Sequence, residues 1–351
     1  MAMEIINIGI NGFGRIGKTL FLQLLKSKNV RVCAINATSI ENECIEQYLR
    51  FDSVHKYNND FKVEIHENDY FSCLEQKNVK ILRSRQASEL KWREYNCNIL
   101  IDCTGSYLTE KSCKEHDVDY VIMSAPSKDN SPTFVFGANQ ENYKGEKIIS
   151  GASCTTNCIT PVLKWFNDKL NILSCSFTTI HATTASQYTV DVLKKNSRTN
   201  RSILNNIIPH TTGASSAISQ IIPELKGKVN GTSLRVPVTN VSLVDMVIEC
   251  SDDTHSLKDL LDEIKEYEVQ MEANGRKSIL QVTEYSLVSC DFLTTTCPSI
   301  IDSKASMELS NGKYKLMVWY DNEWSYSAQL IRLAKYIHEY NSNNNNNNNN
   351  K

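Results

Sequence analysis

At 351 residues, 41% hydrophobic and 22% charged, the chain has the composition of a soluble globular protein and enough length for two domains with separate cores. A formal charge of -2 argues against a nucleic-acid or membrane surface, and no run of 18 apolar residues offers a membrane-spanning helix. The twelve cysteines are irregularly spaced, with no Cys-x-x-Cys pair, and the seven histidines are scattered. No metal site is expected, and the thiols read as reduced and intracellular.

The chain opens on an apolar strand over 5–10, with no basic region ahead of it, so no secretion signal is expected. Asn11-Gly12-Phe13-Gly14-Arg15-Ile16-Gly17 follows, then a helix over 18–25 with apolar residues at 20, 21, 24 and 25. Strand, glycine turn and helix in that order make a dinucleotide-binding fingerprint. Gly12 permits the turn, Gly14 admits the pyrophosphate, and Gly17 lets helix and strand pack closely. Asn11, Gly12, Gly14, Arg15 and Ile16 are therefore cofactor candidates, with phosphate oxygens meeting the helix N-terminus.

A second strand over 30–35 ends at Asn36-Ala37-Thr38-Ser39, where the fingerprint expects a carboxylate for the adenine ribose. Ala37 supplies none. A carboxylate there would pair with the two hydroxyls of NAD and repel the extra phosphate of NADP, so the cofactor is read as NAD or NADP, without a choice.

Residues 40–50 predict a helix, and 62–65 and 79–82 predict antiparallel excursions. An apolar strand over 98–103 ends at Thr104-Gly105-Ser106-Tyr107, and one over 120–123 ends at Ser124. Carboxyl ends of parallel strands face ligands, so Thr104, Gly105 and Ser124 join the cofactor candidates. Strands over 134–137 and 147–150 are expected to complete a Rossmann-type, doubly wound, mostly parallel sheet.

Near the middle stands Ser150-Gly151-Ala152-Ser153-Cys154-Thr155-Thr156-Asn157-Cys158. Ser153, Thr155 and Thr156 can cap a helix start, and a cysteine at that start meets unpaired N–H groups and the positive dipole end, both favouring thiolate. Pro161 is expected to bend or interrupt the first turns. A long strand over 173–180 then leads to His181, the best-placed of the histidines to serve as a base for the thiol.

Beyond it come a polar loop over 186–201, Thr211-Thr212-Gly213 before a helix over 214–222, and strands over 229–236, 241–250, 279–282, 287–292 and 316–319. Helices over 256–267 and 326–340 complete the reading: an α+β catalytic domain on a largely antiparallel sheet. The asparagine run over 343–350 has nothing to bury and predicts a disordered tail.

The segment around Cys154 resembles the active-site stretch of the phosphorylating glyceraldehyde-3-phosphate dehydrogenase family, and the likeness extends over 4–340. The resemblance implies Cys154 as nucleophile and His181 as its acid and base, attacking the aldehyde of a triose phosphate, with thioester cleavage by inorganic phosphate. It implies Arg235, Thr184 and Ser186 at one phosphate site, and Ser153, Thr212 and Gly213 at the second, with Thr155 also among the substrate- and phosphate-binding residues. Asn322, in Asp321-Asn322-Glu323-Trp324-Ser325-Tyr326, would hold the nicotinamide carboxamide, with Tyr326 near the ring. It places the family's usual aspartate at Ala37, and Thr38 looks like the residue of photosynthetic, NADP-using members.

Four domains follow: cofactor-binding over 1–152, catalytic over 153–320, a helix over 321–341 returning to the cofactor domain, and a tail over 342–351. The resemblance further implies a homotetramer, and the location is read as cytoplasmic. Departures include uncharged residues near Tyr188 and Ser216, where the family often has lysine, and Ser325, often glycine. Two alternatives remain: an erythrose-4-phosphate-oxidising relative, and a fold-retaining binding or regulatory protein with weakened cofactor affinity.

Overall fold

The computed structural model describes residues 5–55, 61–194 and 198–349. It divides into two compact units, residues 1–152 with 327–351, and residues 153–326.

The first unit runs β1 (Ile6–Asn11), α1 (Arg15–Leu24), β2 (Val30–Asn36), α2 (Ile45–Arg50), β3 (Val63–His66), β4 (Tyr70–Cys73), β5 (Gln76–Leu82), β6 (Ile99–Asp102), α3 (Glu110–Cys113), β7 (Tyr120–Met123) and β8 (Ile148–Ser150). Its eight strands lie in the order β3-β4-β5-β2-β1-β6-β7-β8. From β5 to β8 every pairing is parallel; only the β3-β4-β5 edge is antiparallel. The central strands are apolar throughout because both faces are covered, as in β6, where all four residues are buried.

Close packing decides local choices here. A Cβ on Gly17 would lie 2.1 Å from the Gly12 carbonyl oxygen, so the first turn of α1 can approach β1 only with glycine at that position. Trp92 is fully buried against Gly9, where a Cβ would come within 2.7 Å of the indole. Truncating such an aromatic to alanine costs about 3–5 kcal/mol.

A second device pins the chain after α2. Lys18, 2% exposed, donates to Asp52 at 2.8 Å and to the Phe51 carbonyl at 2.9 Å, and lies over the Tyr48 ring. Arg15 makes a two-pronged contact with the same carboxylate at 2.5 and 3.1 Å. These bonds, with N–H groups of Val54 and His55, hold the Asp52 carboxyl far below the usual range, against the opposing effect of burial.

The second unit opens with α4 (Cys154–Leu170) and continues through β9 (Ile172–His181), β10 (Ile208–His210), α5 (Ala214–Ile221), β11 (Val229–Arg235), β12 (Ser242–Cys250) and α6 (Leu257–Ala273). β13 (Gln281–Thr283), β14 (Ile300–Asp302), β15 (Met307–Ser310) and β16 (Lys313–Tyr320) close its sheet before α7 (Trp324–Asn349). The strand order is β10-β11-β9-β12-β16-β14-β13, with β15 on β16. Pairing is mostly antiparallel, with two parallel pairs, β9–β11 and β13–β14. Along β12 every second residue is buried, and this face meets α4. From Ser327 onward α7 groups with the first unit, where Ser327 bonds Thr19 at 2.7 Å and Gln329 donates to the Phe136 carbonyl at 2.8 Å.

Several expectations require correction. Residues 134–137 form no strand: Asn139 accepts from the Val135 N–H and Gln140 from that of Gly137, so side chains take the bonds a ladder would need. Residues 287–292 make a short turn, Ser289–Phe292, where Asp291 accepts from the Val288 N–H and Phe292 stacks on Trp319 at 5.2 Å. β5 pairs with β4 antiparallel but also with β2 in parallel, so it belongs to the main sheet rather than to an excursion.

Pro161 does not interrupt α4, which runs unbroken from Cys154 to Leu170. Ser153 caps its start, and Thr160 bonds back to the Thr156 carbonyl at 2.8 Å, local bonds that support the helix on either side of the position Pro161 leaves without a donor. Helix α7 continues through the asparagine run to Asn349 where a disordered tail was expected; a helix nucleated by packed residues extends at little cost per residue. Residues 350–351 lie outside the described residues.

Candidate active site

In the second unit, Cys154 is the first residue of α4. Ser153 is the N-cap, its hydroxyl accepting from the Thr156 N–H at 3.1 Å. Ala152, just ahead, adopts a left-handed φ of 57° while fully buried, a conformation a non-glycine residue holds only when its surroundings impose it. The Cys154 sulfur lies 3.4 Å from Nε2 of His181, the last residue of β9.

Parallel pairing of β9 with β11 sets Arg235 directly opposite His181. An Arg235 nitrogen stands 2.9 Å from His181 Nδ1 and donates to the Ala182 carbonyl at 3.2 Å, while Nδ1 is also 2.7 Å from that carbonyl. The ring therefore has two coherent tautomers. With Nδ1–H donating to Ala182, Nε2 is bare and accepts the thiol proton. With Arg235 donating to Nδ1, the proton sits on Nε2.

Burial, then the Arg235 charge, pushes the His181 imidazole down to about 4, so it is neutral near pH 7. Burial raises the Cys154 thiol, opposed first by Arg235 and then by hydrogen bonds at the helix start. The helix terminus alone favoured thiolate; desolvation outweighs it. The resting pair is thus a thiol beside a neutral imidazole, with a guanidinium ready to favour any negative charge that develops.

The hydroxyl of Tyr320 joins Thr155 at 2.9 Å to Thr179 at 3.0 Å, and its ring meets His181 edge-on at 6.1 Å. The Thr155 hydroxyl is thereby engaged with Tyr320. Thr184 and Ser186 share a 2.9 Å hydrogen bond, each also bonded to Gln187. β10 pairs with β11 so that Ile208 faces Arg235, and three residues past that strand Gly213 stands at the N-cap of α5. Thr212 accepts from the Ala214 N–H at 3.2 Å; Gly213 provides no side-chain cap, and space around it is open. The Ser153 hydroxyl is instead bonded to Thr156, so among the described residues Thr212 and Gly213 share no hydrogen bond with it.

Asn322 and its setting came together through residues that the sequence reading missed. Ser242 accepts from the Ala182 N–H at 3.0 Å and donates to the Asn322 side-chain oxygen at 2.8 Å, which fixes the orientation of that amide. Asp321, fully buried, accepts from Asn240, Glu323, Trp324 and Thr294. Val241, between Asn240 and Ser242, has φ 68°, strain at the point where both neighbours anchor this segment. An Asp before a helical run was the available signal for Asp321; nothing local marked Ser242. Tyr326 is 4% exposed, near the start of α7.

In the first unit the cofactor candidates gather at the carboxyl ends of β1, β2 and β6. Asn36 donates to Asn11, Asn11 donates to Asp102, and Thr104 donates to the other Asp102 oxygen, at 2.7, 2.6 and 2.9 Å. Burial pushes the Asp102 carboxyl up to about 6 despite these donors. Gly12 has φ 89°, a Cβ at Gly14 would meet nothing within 4 Å, and α1 begins without a side-chain cap. A cavity of about 360 Å³ lined by Phe13, Gly14, Ala37, Thr38, Ser39 and Tyr48 adjoins that helix start. Open glycine and uncapped N–H groups fit a dinucleotide's phosphates.

Ser124 donates its N–H to the Asp102 carbonyl, and Gly105 has φ 67°. Arg15 and Ile16 lie in the first turn of α1, but the Arg15 guanidinium is engaged with Asp52. Arg83 also escaped the sequence reading: from beyond β5 it donates to the Ile40 carbonyl, Asp69 and Asn42, beside the turn that follows Ala37. Among the described residues no group of three or more His, Cys, Asp or Glu could hold a metal ion, and no described helix is long and apolar enough to cross a membrane.

Two family models match the chain: "Glyceraldehyde 3-phosphate dehydrogenase, NAD binding domain" over residues 6–110, and "Glyceraldehyde 3-phosphate dehydrogenase, C-terminal domain" over 153–322. The chain is 39% identical over 340 residues to the glyceraldehyde-3-phosphate dehydrogenase of Bacteroides fragilis, covering 95% of this chain and 99% of that protein. It is 37% identical over 342 residues to glyceraldehyde-3-phosphate dehydrogenase A of Escherichia coli K12, with the same coverage of each. Similarity over that length, on a Rossmann-type first unit and a thiol–imidazole–guanidinium line in the second, establishes that the chain belongs to the glyceraldehyde-3-phosphate dehydrogenase family.

Proposed function

We propose that this protein oxidises glyceraldehyde 3-phosphate to 1,3-bisphosphoglycerate with NAD or NADP and inorganic phosphate, using Cys154 and His181. The observation that carries the reading is the 3.4 Å approach of the Cys154 sulfur to His181 Nε2, with Arg235 on the far side of the ring.

With Nδ1–H donating to Ala182, the bare Nε2 takes the thiol proton as sulfur attacks the aldehyde carbon. The imidazolium returns that proton to the aldehyde oxygen, giving a hemithioacetal. Nε2 then removes the hydroxyl proton while the carbon loses hydride, leaving a thioester on Cys154. When bound, the nicotinamide cofactor supplies the hydride acceptor. An oxygen of inorganic phosphate attacks the thioester carbon, the carbon–sulfur bond breaks, and Cys154 leaves as thiolate, recovering its proton from His181. The Cys154 backbone N–H and the imidazolium stabilise the oxyanion at each tetrahedral stage.

Arg235, Thr184 and Ser186 take one phosphate, and Ser153, Thr212 and Gly213 take the other. Thr155 contributes through Tyr320, positioning the helix start. Asn11, Gly12, Gly14, Arg15, Ile16, Ala37, Thr104, Gly105 and Ser124 serve the cofactor, together with Asn322 and Tyr326. The domains are a cofactor-binding segment over 1–152, a catalytic segment over 153–320 and a returning helix from 321. We take the protein to act as a cytoplasmic homotetramer, a state supported by family membership and by exposed apolar side chains such as Val190, Leu193, Leu204 and Ile207. Steady-state rates with glyceraldehyde 3-phosphate, each cofactor, and phosphate present or absent test the reading; a rate independent of phosphate would overturn it.

A further inference from the structure

We propose that Gln187 is a positioning residue for one phosphate: its amide orders the hydroxyls of Thr184 and Ser186 so that Ser186 donates its proton to the anion. This role rests on the dehydrogenase reading, in which Thr184, Ser186 and Arg235 take one of the two phosphates.

The turn after β9 fixes which way this amide points. The Gln187 N–H donates to the Thr184 carbonyl at 3.0 Å, and the side chain folds back over the same residue. Its Oε1 accepts from the Thr184 N–H at 2.9 Å and from the Thr184 hydroxyl at 3.0 Å. A backbone N–H can only donate, so the amide oxygen must face it, and Nε2 is left to donate to Ser186 Oγ at 2.9 Å. The two hydroxyl oxygens are 2.9 Å apart. Since the Thr184 proton is engaged with Oε1, the proton between them belongs to Ser186. Ser186, Thr184 and Gln187 thus form a closed ring in which each donates once and all bonds run in one sense.

A fully ionised phosphate oxygen only accepts. The Ser186 proton can turn to it while both bonds to Oε1 and the bond from Nε2 stay in place, so Thr184 is the anchor and Ser186 the donor. The N–H held against Ser186 Oγ polarises that hydroxyl and makes it the stronger donor. Space for an anion adjoins the ring: Ser186 and Gln187 line a cavity of about 550 Å³ with Lys194, Asn200 and His210. Asn200 is 6% exposed, and its amide nitrogen is buried without a hydrogen-bond partner among the described residues. Among the described residues no carboxylate lines this cavity. A wall that offers donors and no negative charge suits a phosphate.

The test is steady-state kinetics of the full chain carrying Gln187→Ala and Ser186→Ala, singly and together, with glyceraldehyde 3-phosphate and inorganic phosphate varied in turn. Gln187→Ala is expected to raise the KM of one of these two phosphates about tenfold, leaving kcat and the other KM within about twofold. In the Ser186→Ala background the same substitution should add less than about twofold, because its effect passes through that hydroxyl. Gln187→Glu keeps an oxygen for Thr184 but sets a carboxylate against Ser186. It should raise the same KM further, and it decides the matter if the alanine variant does not fold. Additive effects of the two alanine substitutions, equal shifts in kcat and both KM values, or unchanged kinetics in Gln187→Ala would overturn the role while wild-type turnover stands. A wild-type chain that does not oxidise glyceraldehyde 3-phosphate would overturn the dehydrogenase reading, and this role with it.

Discussion

His181 and Arg235 face each other across a parallel strand pair, with a guanidinium nitrogen 2.9 Å from Nδ1, so one cation acts on both the imidazole and the thiol beyond it. It lowers the proton affinity of His181 and of Cys154 alike. A neutral base and a thiol inclined toward ionisation are both needed for the first proton transfer.

Arg235→Gln should therefore move two titrations upward. The rate of Cys154 alkylation by iodoacetamide should reach its midpoint at higher pH than in the wild type, and the acid limb of kcat/KM should rise from near 4 toward the ordinary imidazole value. Unchanged midpoints in both profiles would show that the guanidinium does not govern this pair.

Asp52→Asn would leave the Lys18 ammonium 2% exposed and without its carboxylate. Breaking such a pair costs about 3–5 kcal/mol, read as a fall in urea midpoint with little change in slope. Lys18→Met combined with Asp52→Leu should recover much of that loss, since the desolvated charges go together. A neutral Asp52→Asn would contradict the assignment.

Asp102 carries a pH signature of opposite sign to Asp52. Its folded-state pKa of about 6 exceeds the 3.8 of an ordinary carboxyl, so the folded chain binds its proton more tightly. The resulting stability is fully present below pH 3.8 and is lost as pH rises through about 6. The difference amounts to about 3 kcal/mol at 1.36 kcal/mol per unit. Asp102→Asn should flatten this component of the stability profile between pH 4 and 7; an unaltered profile would rule it out.

Ala37→Asp places a carboxylate in the cavity wall beside Thr38 and Ser39. The ratio of kcat/KM for NAD to that for NADP should rise about tenfold, an effect of about 1.4 kcal/mol. Arg83, anchored by Asp69 and Asn42 at the neighbouring turn, is a cation whose attraction for an extra phosphate such a carboxylate would offset. An unchanged ratio would remove Ala37 from the determinants of cofactor choice.

Legibility in the sequence followed the range of the interactions. Gly12, Gly14 and Gly17 act through local backbone geometry, and Ser153 caps within three residues, so pattern alone located the first βαβ unit and the start of α4. Lys18–Asp52, Ser242–Asn322 and Thr155–Tyr320 join residues far apart in sequence, and only the folded register brings them together. The apolar run over 134–137 was misread because Asn139 and Gln140 supply its bonds from side chains. Burial, invisible in a nine-residue motif, reversed the expected leaning of Cys154 toward thiolate.

The most direct test is rapid quenching of the enzyme with glyceraldehyde 3-phosphate and NAD or NADP in the absence of phosphate, followed by peptide mass spectrometry. A phosphoglyceroyl group on Cys154, discharged when phosphate is added and absent in Cys154→Ser, is the predicted result. Its appearance on a different residue, or full turnover by Cys154→Ser, would contradict the account.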